Sequence, residues 1–415
     1  MKKLFLVVLD GIADRPNPFL YNKTPLEIAF KPNLDWLAAH GKSGYMFTLK
    51  ENIAPESDSA VFSILGYDPY KYSTGRGPLE AYGSGIKIEE GDLCLRTNFA
   101  TIKGSEVIDR RAGRTLTTEE ARLLAESINK KVKLSHKFIF KPTLQHRGVL
   151  VVRGSFSDNI SNTDPGYEKF GSISRVTISS NKLKDSEPLD DDETSELSSH
   201  IVNSFVSQSM KILKEHPVNK KRIREGKLPA NIILTRDAGI KLPELPKKGK
   251  KWLAILNMLL ETAISKLAGM DVSLNQYPPM KTNSVYEHLY NALKTQLKFI
   301  QEQVIKNYKK YDCFYIHIKE TDIPGHDGLP IHKKKMIEMI DELLFAFLRK
   351  EFKDSIIVVT ADHSTPCTLK VHSDDPVPLL VYGKGKDGIK SFNEKTCRKG
   401  RIGKIYGKDM LNMFK

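Results

Sequence analysis

The chain has 415 residues, of which 40% are hydrophobic and 28% are charged, and its formal net charge is +15. A chain of this length is too long for one ordinary hydrophobic core, which indicates two domains, or three. The composition excludes a disordered chain, and no apolar run approaches the roughly 18 residues of a membrane span. The four scattered cysteines form no CxxC pair, so we expect a reducing, cytoplasmic setting.

The positive charge suits an anionic partner, such as a nucleic acid, a membrane surface or a phosphorylated metabolite. Much of it lies in short basic runs, for example K-K-G-K-K at 247–251. Such runs are usually solvated surface, and no zinc-finger, RNP or helix-turn-helix motif stands beside them. We therefore expect neither a nucleic acid nor a membrane as partner. The oligomeric state stays open.

The N-terminal segment predicts a buried strand. Leu4–Leu9 reads L-F-L-V-V-L and follows two lysines. A continuous apolar run of this length is typical of a strand that is covered on both faces of a parallel sheet. The run ends at Asp10-Gly11 without a small-residue cleavage site, so we prefer a strand to a secretory signal.

The middle of the chain predicts a separate α+β domain. Its strand patterns lie at 93–102, 137–140 and 148–152, and its helical patterns at 118–134 and 192–215. A Pro/Lys-rich stretch at 242–251 is typical of a linker. We therefore expect a discontinuous first domain of residues 1–85 and 251–415, and an inserted domain of residues 86–250.

Three more apolar runs follow the linker, at 313–318, 355–360 and 377–382. A helical pattern at 284–308 precedes the first of them, and another at 332–348 lies between the first and the second. Alternating strands and helices favour a doubly wound α/β sheet. In such sheets, ligands bind at the carboxyl ends of the strands.

Aspartate and histidine side chains stand just after three of the predicted strands. Both are ligands of divalent metals, so their convergence at one sheet edge would make a metal site. The residues concerned are Asp10, Asp322, His326, Asp362, His363 and His372.

Ser57 opens the segment S-D-S-A-V-F-S-I-L, which has a helical pattern. It could simply cap that helix. It could also be a nucleophile, because a helix N-terminus favours a phosphoryl group. A serine nucleophile needs a base or a metal, which the aspartate and histidine clusters could supply.

Ten motifs occur in order along the chain. They are V-V-L-D-G at 7–11, S-D-S-A…S-I-L-G-Y-D-P at 57–69, Y-S-T-G-R-G-P-L-E-A at 72–81, N-F-A-T-I at 98–102, D-R-R-A-G-R at 109–114, S-D-N-I-S-N-T-D-P at 157–165, H-P-V-N-K-K-R at 216–222, L-P-A-N-I-I-L at 228–234, G-H-D-G at 325–328 and A-D-H-S-T-P-C at 361–367. Together they resemble the archaeal-type, cofactor-independent 2,3-bisphosphoglycerate-independent phosphoglycerate mutases of the alkaline phosphatase superfamily. The resemblance runs from residue 1 to about residue 410 and is weakest at 236–260.

The resemblance implies an alkaline-phosphatase-like core, an inserted smaller α+β domain and two divalent metal ions. The ions would be Mn²⁺ or Zn²⁺, with Co²⁺ or Mg²⁺ as further options. Two neighbouring cations can stabilise both oxygens of a phosphoryl transfer. By matching motifs, one ion would be held by Asp10, Ser57, Asp362 and His363, and the other by Asp322, His326 and His372.

The resemblance also implies an isomerase that interconverts 3-phosphoglycerate and 2-phosphoglycerate, in glycolysis or gluconeogenesis, through a phosphoserine at Ser57. A small-molecule substrate with phosphate and carboxylate groups suits arginine forks. The family pattern points to Asp109 and Arg110 for the glycerate. Further candidate substrate residues are Arg76, Arg114, His146, Arg147, Asn162, Asp164 and Arg222.

The chain departs from the family pattern at three places. Glu56 stands where the family more often has glycine, Lys319-Glu320-Thr321 precedes Asp322 in place of K-G-P, and 252–265 lacks an expected Gly-rich, Lys-bearing turn. Two alternatives stay open. The same metal site could belong to a phosphomonoesterase, or to a mutase of another phosphorylated metabolite. A non-catalytic protein could instead use the positive charge to hold nucleic acid.

Overall fold

The computed structural model describes residues 2–171, 173–177, 180–276, 278 and 284–414. The chain forms two compact units. The first comprises Met1–Tyr72, Glu244–Pro278 and Thr282–Lys415, and the second consists mainly of Ser73–Pro243. We expected divisions at 85/86 and 250/251, whereas these units divide at 72/73 and 243/244. The segment 76–83 belongs to the second unit because it packs against that unit's strands.

The strands of the described residues are numbered in chain order. They are β1 (Leu4–Leu9), β2 (Gly41–Phe47), β3 (Leu93–Lys103), β4 (Glu106–Asp109), β5 (Phe138–Pro142), β6 (Arg147–Val152), β7 (Tyr167–Phe170), β8 (Ile173–Val176), β9 (Ile232–Gly239), β10 (Trp252–Leu256), β11 (Asp271–Leu274), β12 (Cys313–Ile318), β13 (Ile356–Thr360), β14 (Val377–Tyr382) and β15 (Gly403–Tyr406).

The α-helices are numbered in the same way. They are α1 (Pro25–Ile28), α2 (Pro32–Ala39), α3 (Ser57–Ile64), α4 (Pro69–Tyr72), α5 (Arg76–Gly83), α6 (Thr118–Lys131), α7 (Glu193–Lys214), α8 (Pro217–Arg224), α9 (Leu259–Leu267), α10 (Val285–Asn307), α11 (Asp322–Asp327), α12 (Pro330–Ile340), α13 (Ala346–Glu351), α14 (Glu394–Cys397) and α15 (Gly407–Met410). A π-helical segment at Asp341–Phe345 joins α12 to α13. The sequence predicted a single helix at 332–348.

The first unit is built on an eight-stranded mixed sheet with the order β11-β10-β12-β1-β13-β14-β2-β15. The α/β fold class expected from the sequence is therefore confirmed. Strands β1, β10, β11, β12 and β13 run parallel. All side chains of β1 and β12 are buried, as a central parallel strand requires.

The register of β1 with its two neighbours brings three strand ends together. Val8 pairs with His317 on one side and with Thr360 on the other. The amide of Asp10 donates to the carbonyl of Ile318 at 2.9 Å. The loops after β1, β12 and β13 therefore begin at the same level, at the carboxyl edge of the sheet.

The second unit contains an antiparallel sheet with the order β4-β3-β6-β5, and β9 pairs with the other edge of β3. A separate hairpin joins β7 to β8. The apolar faces of α6 and α7 pack onto the sheet through Leu124, Ile128 and Phe205, which are fully buried. This arrangement is α+β, as the strand and helix patterns of 93–215 predicted.

Within the described ranges, no helix is both long enough and apolar enough to cross a membrane. The two longest helices, α7 and α10, alternate buried and exposed positions along their length. Such a pattern is typical of helices that cover one side of a core.

Candidate metal centre

Three loops of the first unit place carboxylates at the edge of the sheet. Asp10 follows β1 directly, and Asp362 comes two residues after β13; both side chains are almost fully buried. Asp322 begins α11, four residues after β12. The hydroxyl of Thr321 donates to the carbonyl of Asp10, which fixes this loop against β1.

One histidine group lies around Asp322. The Nε2 atom of His326 is 3.2 Å from Asp322 Oδ2, and Nε2 of His372 is 3.9 Å from Asp322 Oδ1. The ligand atoms of these three residues all lie within 4.8 Å of one another. This set matches the second of the two ligand groups inferred from the sequence.

A second group lies around Asp10. The Nε2 atom of His363 is 3.2 Å from Asp10 Oδ1 and 3.4 Å from Asp362 Oδ2. Asp10, Asp322 and His363 also have ligand atoms within 4.8 Å of one another. The two groups are therefore adjacent. The rings of His363 and His372 stack with their centroids 3.6 Å apart.

Each histidine is oriented through its Nδ1 atom. Nδ1 of His372 lies 2.9 Å from the carbonyl of Pro55, and Nδ1 of His326 lies 2.9 Å from the carbonyl of Lys370. Nδ1 of His363 lies 3.0 Å from the hydroxyl of Thr365. A carbonyl can only accept, so Nδ1 donates in the first two and Nε2 keeps a lone pair. Such hydrogen bonds are what orient metal-binding imidazoles.

The residues present fit a metal ion. Asp10 Oδ1, Asp362 Oδ2 and His363 Nε2 are buried and have no hydrogen-bond partner among the described residues. Buried polar atoms without partners are costly. A divalent cation would satisfy all of them, because carboxylate oxygen and imidazole nitrogen are its common ligands.

The electrostatics of the cluster agree with a cation site. Burial, together with the neighbouring Asp362 carboxylate, raises the pKa of Asp10 well above its ordinary value. Burial lowers the pKa of His363, and it lowers that of His372 to about 4. The histidines are therefore neutral near pH 7, which is the form that binds metals. The raised pKa of Asp10 reflects first its burial and then the nearby carboxylates, both of which disfavour its charged form.

Ser57 is the first residue of α3, and it is half-buried. Its two predecessors contact the cluster. Pro55 accepts from His372, and Oε1 of Glu56 lies 3.9 Å from His372 Nδ1. The N-terminus of α3 is thus tied to the metal ligands, where its dipole favours an anion.

Sequence reasoning missed three residues beside this cluster. His317 lies inside β12, and its Nε2 is 3.7 Å from Asp10 Oδ2. Lys319 forms an ion pair with Asp10, and its Nζ lies 3.0 Å from Oε1 of Glu261 in α9. His317 and Lys319 stand two positions apart where β12 ends. This spacing is the sequence feature that could have identified them. Glu261 falls in the stretch 252–265 that departs from the family pattern.

The second unit contains most of the candidate substrate residues. Arg110 donates to both oxygens of Asp164, at 2.7 Å each, and its guanidinium lies over the ring of Tyr167. Arg236, which sequence reasoning missed, lies over the same ring at 3.6 Å. These cations and Tyr167 form one polar cluster.

Asp109 has a structural task in the same loop. Its Oδ1 accepts from the amides of Arg111 at 2.7 Å and of Gly113 at 2.9 Å. These bonds shape the turn that carries Arg111 and Arg114. Arg76 is paired with Glu80 at 2.8 Å on α5.

A group of cations surrounds His146, which is buried. Burial and the charges of Arg147, Arg111 and Arg114 hold the pKa of His146 well below its ordinary value. Burial and the neighbouring arginines also lower the pKa of Arg111 to about 10. Several positive charges gathered around one buried histidine favour an anionic ligand.

The side chain of Arg222 is not available to bind substrate. Its side chain is fully buried, and it donates to the carbonyls of Leu228, Thr115 and Ala112, to Thr115 Oγ1 and to Glu120. All five of its N–H groups are therefore used within the second unit. We correct the expectation that it binds substrate: it braces the turn around Ala112.

Comparisons with known proteins agree with the motifs. A family model described as 2,3-bisphosphoglycerate-independent phosphoglycerate mutase matches residues 38–219. A protein of that name from Aeropyrum pernix is 38% identical, over 98% of this chain and 96% of its own. A solved structure from Pyrococcus horikoshii has 30% identity and a TM-score of 0.76, over 99% and 96% of the two chains.

The cofactor-independent phosphoglycerate mutase of Thermoplasma acidophilum is a further solved structure similar to this chain. Its identity is 31% and its TM-score is 0.59, over 100% of this chain and 98% of that one. Identity at this level, over nearly the full length of both chains, shows common descent and a common fold. The chain belongs to the 2,3-bisphosphoglycerate-independent phosphoglycerate mutase family.

Proposed function

We propose that this protein is an isomerase that interconverts 3-phosphoglycerate and 2-phosphoglycerate without 2,3-bisphosphoglycerate, through a phosphoserine at Ser57. The observation that carries the proposal is the pair of adjacent ligand groups beside the N-terminus of α3. Relatives that are 38% identical bear the name of this activity. The buried, unpaired cysteines agree with a cytoplasmic enzyme.

Two divalent ions, Mn²⁺ or Zn²⁺, suit the ligand groups. Asp322, His326 and His372 would hold one. Asp10, Asp362 and His363, with Ser57, would hold the other. When bound, the ions supply positive charge that stabilises the phosphoryl group in transfer.

The chain's own residues carry the transfer. In the first half-reaction, Ser57 Oγ forms a bond to phosphorus as the bond to the 3-oxygen of glycerate breaks, and the serine proton ends on the leaving oxygen. In the second, the 2-hydroxyl of the same glycerate takes the phosphoryl group, and Ser57 regains a proton. The α3 N-terminus holds the phosphoryl oxygens near Ser57 between the two half-reactions.

Glycerate must be retained and water excluded between the half-reactions, because water would convert phosphoserine to free phosphate. We assign the recognition of the substrate's anionic groups to cations of the second unit. Arg110, Arg111 and Arg147 would bind the carboxylate and phosphate, with neutral His146 as a hydrogen-bonding neighbour. Arg114 belongs to the same group.

The test is a coupled assay with 3-phosphoglycerate, Mn²⁺ and enolase, and without 2,3-bisphosphoglycerate. It follows phosphoenolpyruvate and free phosphate together. The proposal predicts phosphoenolpyruvate without phosphate release, and loss of this activity in Ser57→Ala. Phosphate release without phosphoenolpyruvate would instead identify a phosphomonoesterase. A matched control is Ser59→Ala, which removes a hydroxyl from the same helix turn, where it donates to the Glu56 carbonyl at 3.0 Å.

A further inference from the structure

We propose that the ammonium of Lys319 fills a third cation position beside the two metal ions, and that Glu261 completes this position. The inference rests on the proposed two-metal site. It assigns to Glu261, which no resemblance predicted, the task of holding a fixed internal cation next to that site.

Three carboxylates surround the ammonium. Lys319 forms an ion pair with Oδ2 of Asp10, and its Nζ lies 3.0 Å from Glu261 Oε1 and 3.8 Å from Asp362 Oδ2. The carboxylates are almost fully buried, and the lysine side chain is largely so. One ammonium thus faces three negative groups, which is the charge environment of a divalent cation.

His317 supplies a fourth ligand at the same place. Its Nε2 lies 3.7 Å from Asp10 Oδ2 and 3.5 Å from Asp362 Oδ2. This Nε2 atom is buried and has no hydrogen-bond partner among the described residues. Nδ1 lies 2.8 Å from the hydroxyl of Tyr315, which orients the ring toward the carboxylates.

The two oxygens of Asp10 face different neighbours. Oδ1 is 3.2 Å from His363, on the side of the proposed ions, whereas Oδ2 faces His317 and Lys319. Asp10 can therefore serve a metal ion with one oxygen and the ammonium with the other. The ammonium position adjoins the two-metal site and shares Asp362 Oδ2 with it.

The carboxylate of Glu261 explains why a lysine can occupy the ammonium position. With Asp10 and Asp362 alone, the ammonium would compete directly with a metal for its two ligands. Glu261 gives Lys319 a carboxylate that no ion of the proposed pair uses. A buried charge without a partner is strongly destabilising, so Glu261 and Lys319 stabilise each other inside the first unit.

Removal of the ammonium should convert this position into a metal site. Lys319→Ala leaves the oxygens of Asp10, Asp362 and Glu261 and the nitrogen of His317 around an empty space. Such a set of oxygen and nitrogen donors binds Mn²⁺. We expect one more Mn²⁺ per chain in Lys319→Ala than in the native protein, and no extra ion in Lys319→Ala/Glu261→Gln.

The experiment measures the Mn²⁺ content of purified, Mn²⁺-loaded protein by mass spectrometry of the metal. The expected content is two ions in the native protein, three in Lys319→Ala and two in the double variant. Lys31→Ala is the matched control, because Lys31 is also buried but lies against a single carboxylate, that of Asp35 at 3.1 Å. Its expected content is two.

An equal Mn²⁺ content in the native protein and Lys319→Ala would overturn the inference, and so would a third ion that persists in the double variant. A native protein with no bound Mn²⁺ would overturn the proposed function instead. Glu261→Gln gives a second test should Lys319→Ala fail to fold. In this variant the ammonium of Lys319 would be paired with Asp10 and Asp362 alone and would compete with Mn²⁺ for these two ligands. The affinity for Mn²⁺ should therefore fall about tenfold. An unchanged affinity would contradict the inference.

Discussion

The hydroxyl of Thr365 donates a hydrogen bond to Oδ1 of Asp322 at 2.6 Å. The same hydroxyl lies 3.0 Å from Nδ1 of His363. Asp322 belongs to one proposed ligand group and His363 to the other. The side chain of Thr365 therefore orients one ligand in each group. The two proposed metal positions share this residue.

Thr365→Val keeps the shape of this side chain and removes both hydrogen bonds. We expect Mn²⁺ affinity to fall about 10- to 100-fold, as for other residues that orient metal ligands, and calorimetric titration with Mn²⁺ measures it. Thr235→Val is the control, because Thr235 is equally buried and its hydroxyl lies 3.1 Å from Thr163 in the second unit. Equal affinity in native and Thr365→Val protein would show that Thr365 does not orient the ligands.

The cationic group of the second unit predicts a defect in substrate binding. Arg111→Met should raise KM for 3-phosphoglycerate about tenfold or more, because one charge-assisted contact to an anion is lost. The change in kcat should be smaller, as expected for binding that ground state and transition state share. Steady-state kinetics in the coupled assay give both constants.

Arg122→Met serves as the control for that variant, because Arg122 is exposed on α6 and paired with Glu119 and Glu126. A KM that is unchanged in Arg111→Met would remove Arg111 from the substrate group. A KM that rises equally in both variants would mean that only the general positive charge of the protein matters.

Glu56 places a negative charge near the proposed phosphoryl position. Its carboxylate lies 3.9 Å from His372, just before Ser57. Glu56→Gln should lower KM for 3-phosphoglycerate about threefold, because repulsion between Glu56 and the anionic substrate is removed. Glu51→Gln, an exposed glutamate paired with Lys404, should leave KM unchanged. A higher KM in Glu56→Gln would mean that Glu56 makes a favourable contact instead.

Glu394 predicts a pH dependence of stability in the first unit. Burial raises its pKa to about 7, although it accepts from the Asp14 amide at 3.0 Å and from Thr24 at 2.8 Å. The folded protein thus binds more protons than the unfolded chain between about pH 4.5 and pH 7, and stability falls as the pH rises through that range. The loss is on the order of 1 kcal/mol per pH unit.

Urea unfolding of the native protein and Glu394→Gln at several pH values tests this. The difference in free energy of unfolding, native minus variant, should decrease from about pH 5 to about pH 7. A difference that is constant, or that grows with pH, would show that Glu394 is ionised in the folded protein over the whole range.

The sequence predicted β1 and β12, which lead into the candidate site, for a physical reason. β1 and β12 are buried on both faces, so each appears in the sequence as an uninterrupted apolar run with a polar residue at its end. Because the strands are parallel and in register, residues that follow them must meet. The register therefore brings the loops that carry Asp10, Asp322 and Asp362 to one edge of the sheet.

Other features could not be predicted from local patterns. β2 reads G-K-S-G-Y-M-F and has little strand character; it forms because β14 and β15 pair with it. His317 stands within an apolar run, and that pattern indicates a strand without marking a site residue. Glu261 lies in α9, and its contact with Lys319 depends on how that helix packs, which no spacing along the chain reveals.

In the proposed reaction, Ser57 carries the phosphoryl group between the two half-reactions. The most direct measurement is to mix the Mn²⁺-loaded protein with 3-phosphoglycerate, quench with acid, and locate any added phosphoryl group by peptide mass spectrometry. We predict one phosphoryl group on the peptide that contains Ser57, present in native protein and Ser59→Ala and absent in Ser57→Ala. Turnover to phosphoenolpyruvate in the coupled assay by Ser57→Ala, or a phosphoryl group on another residue, would contradict the account.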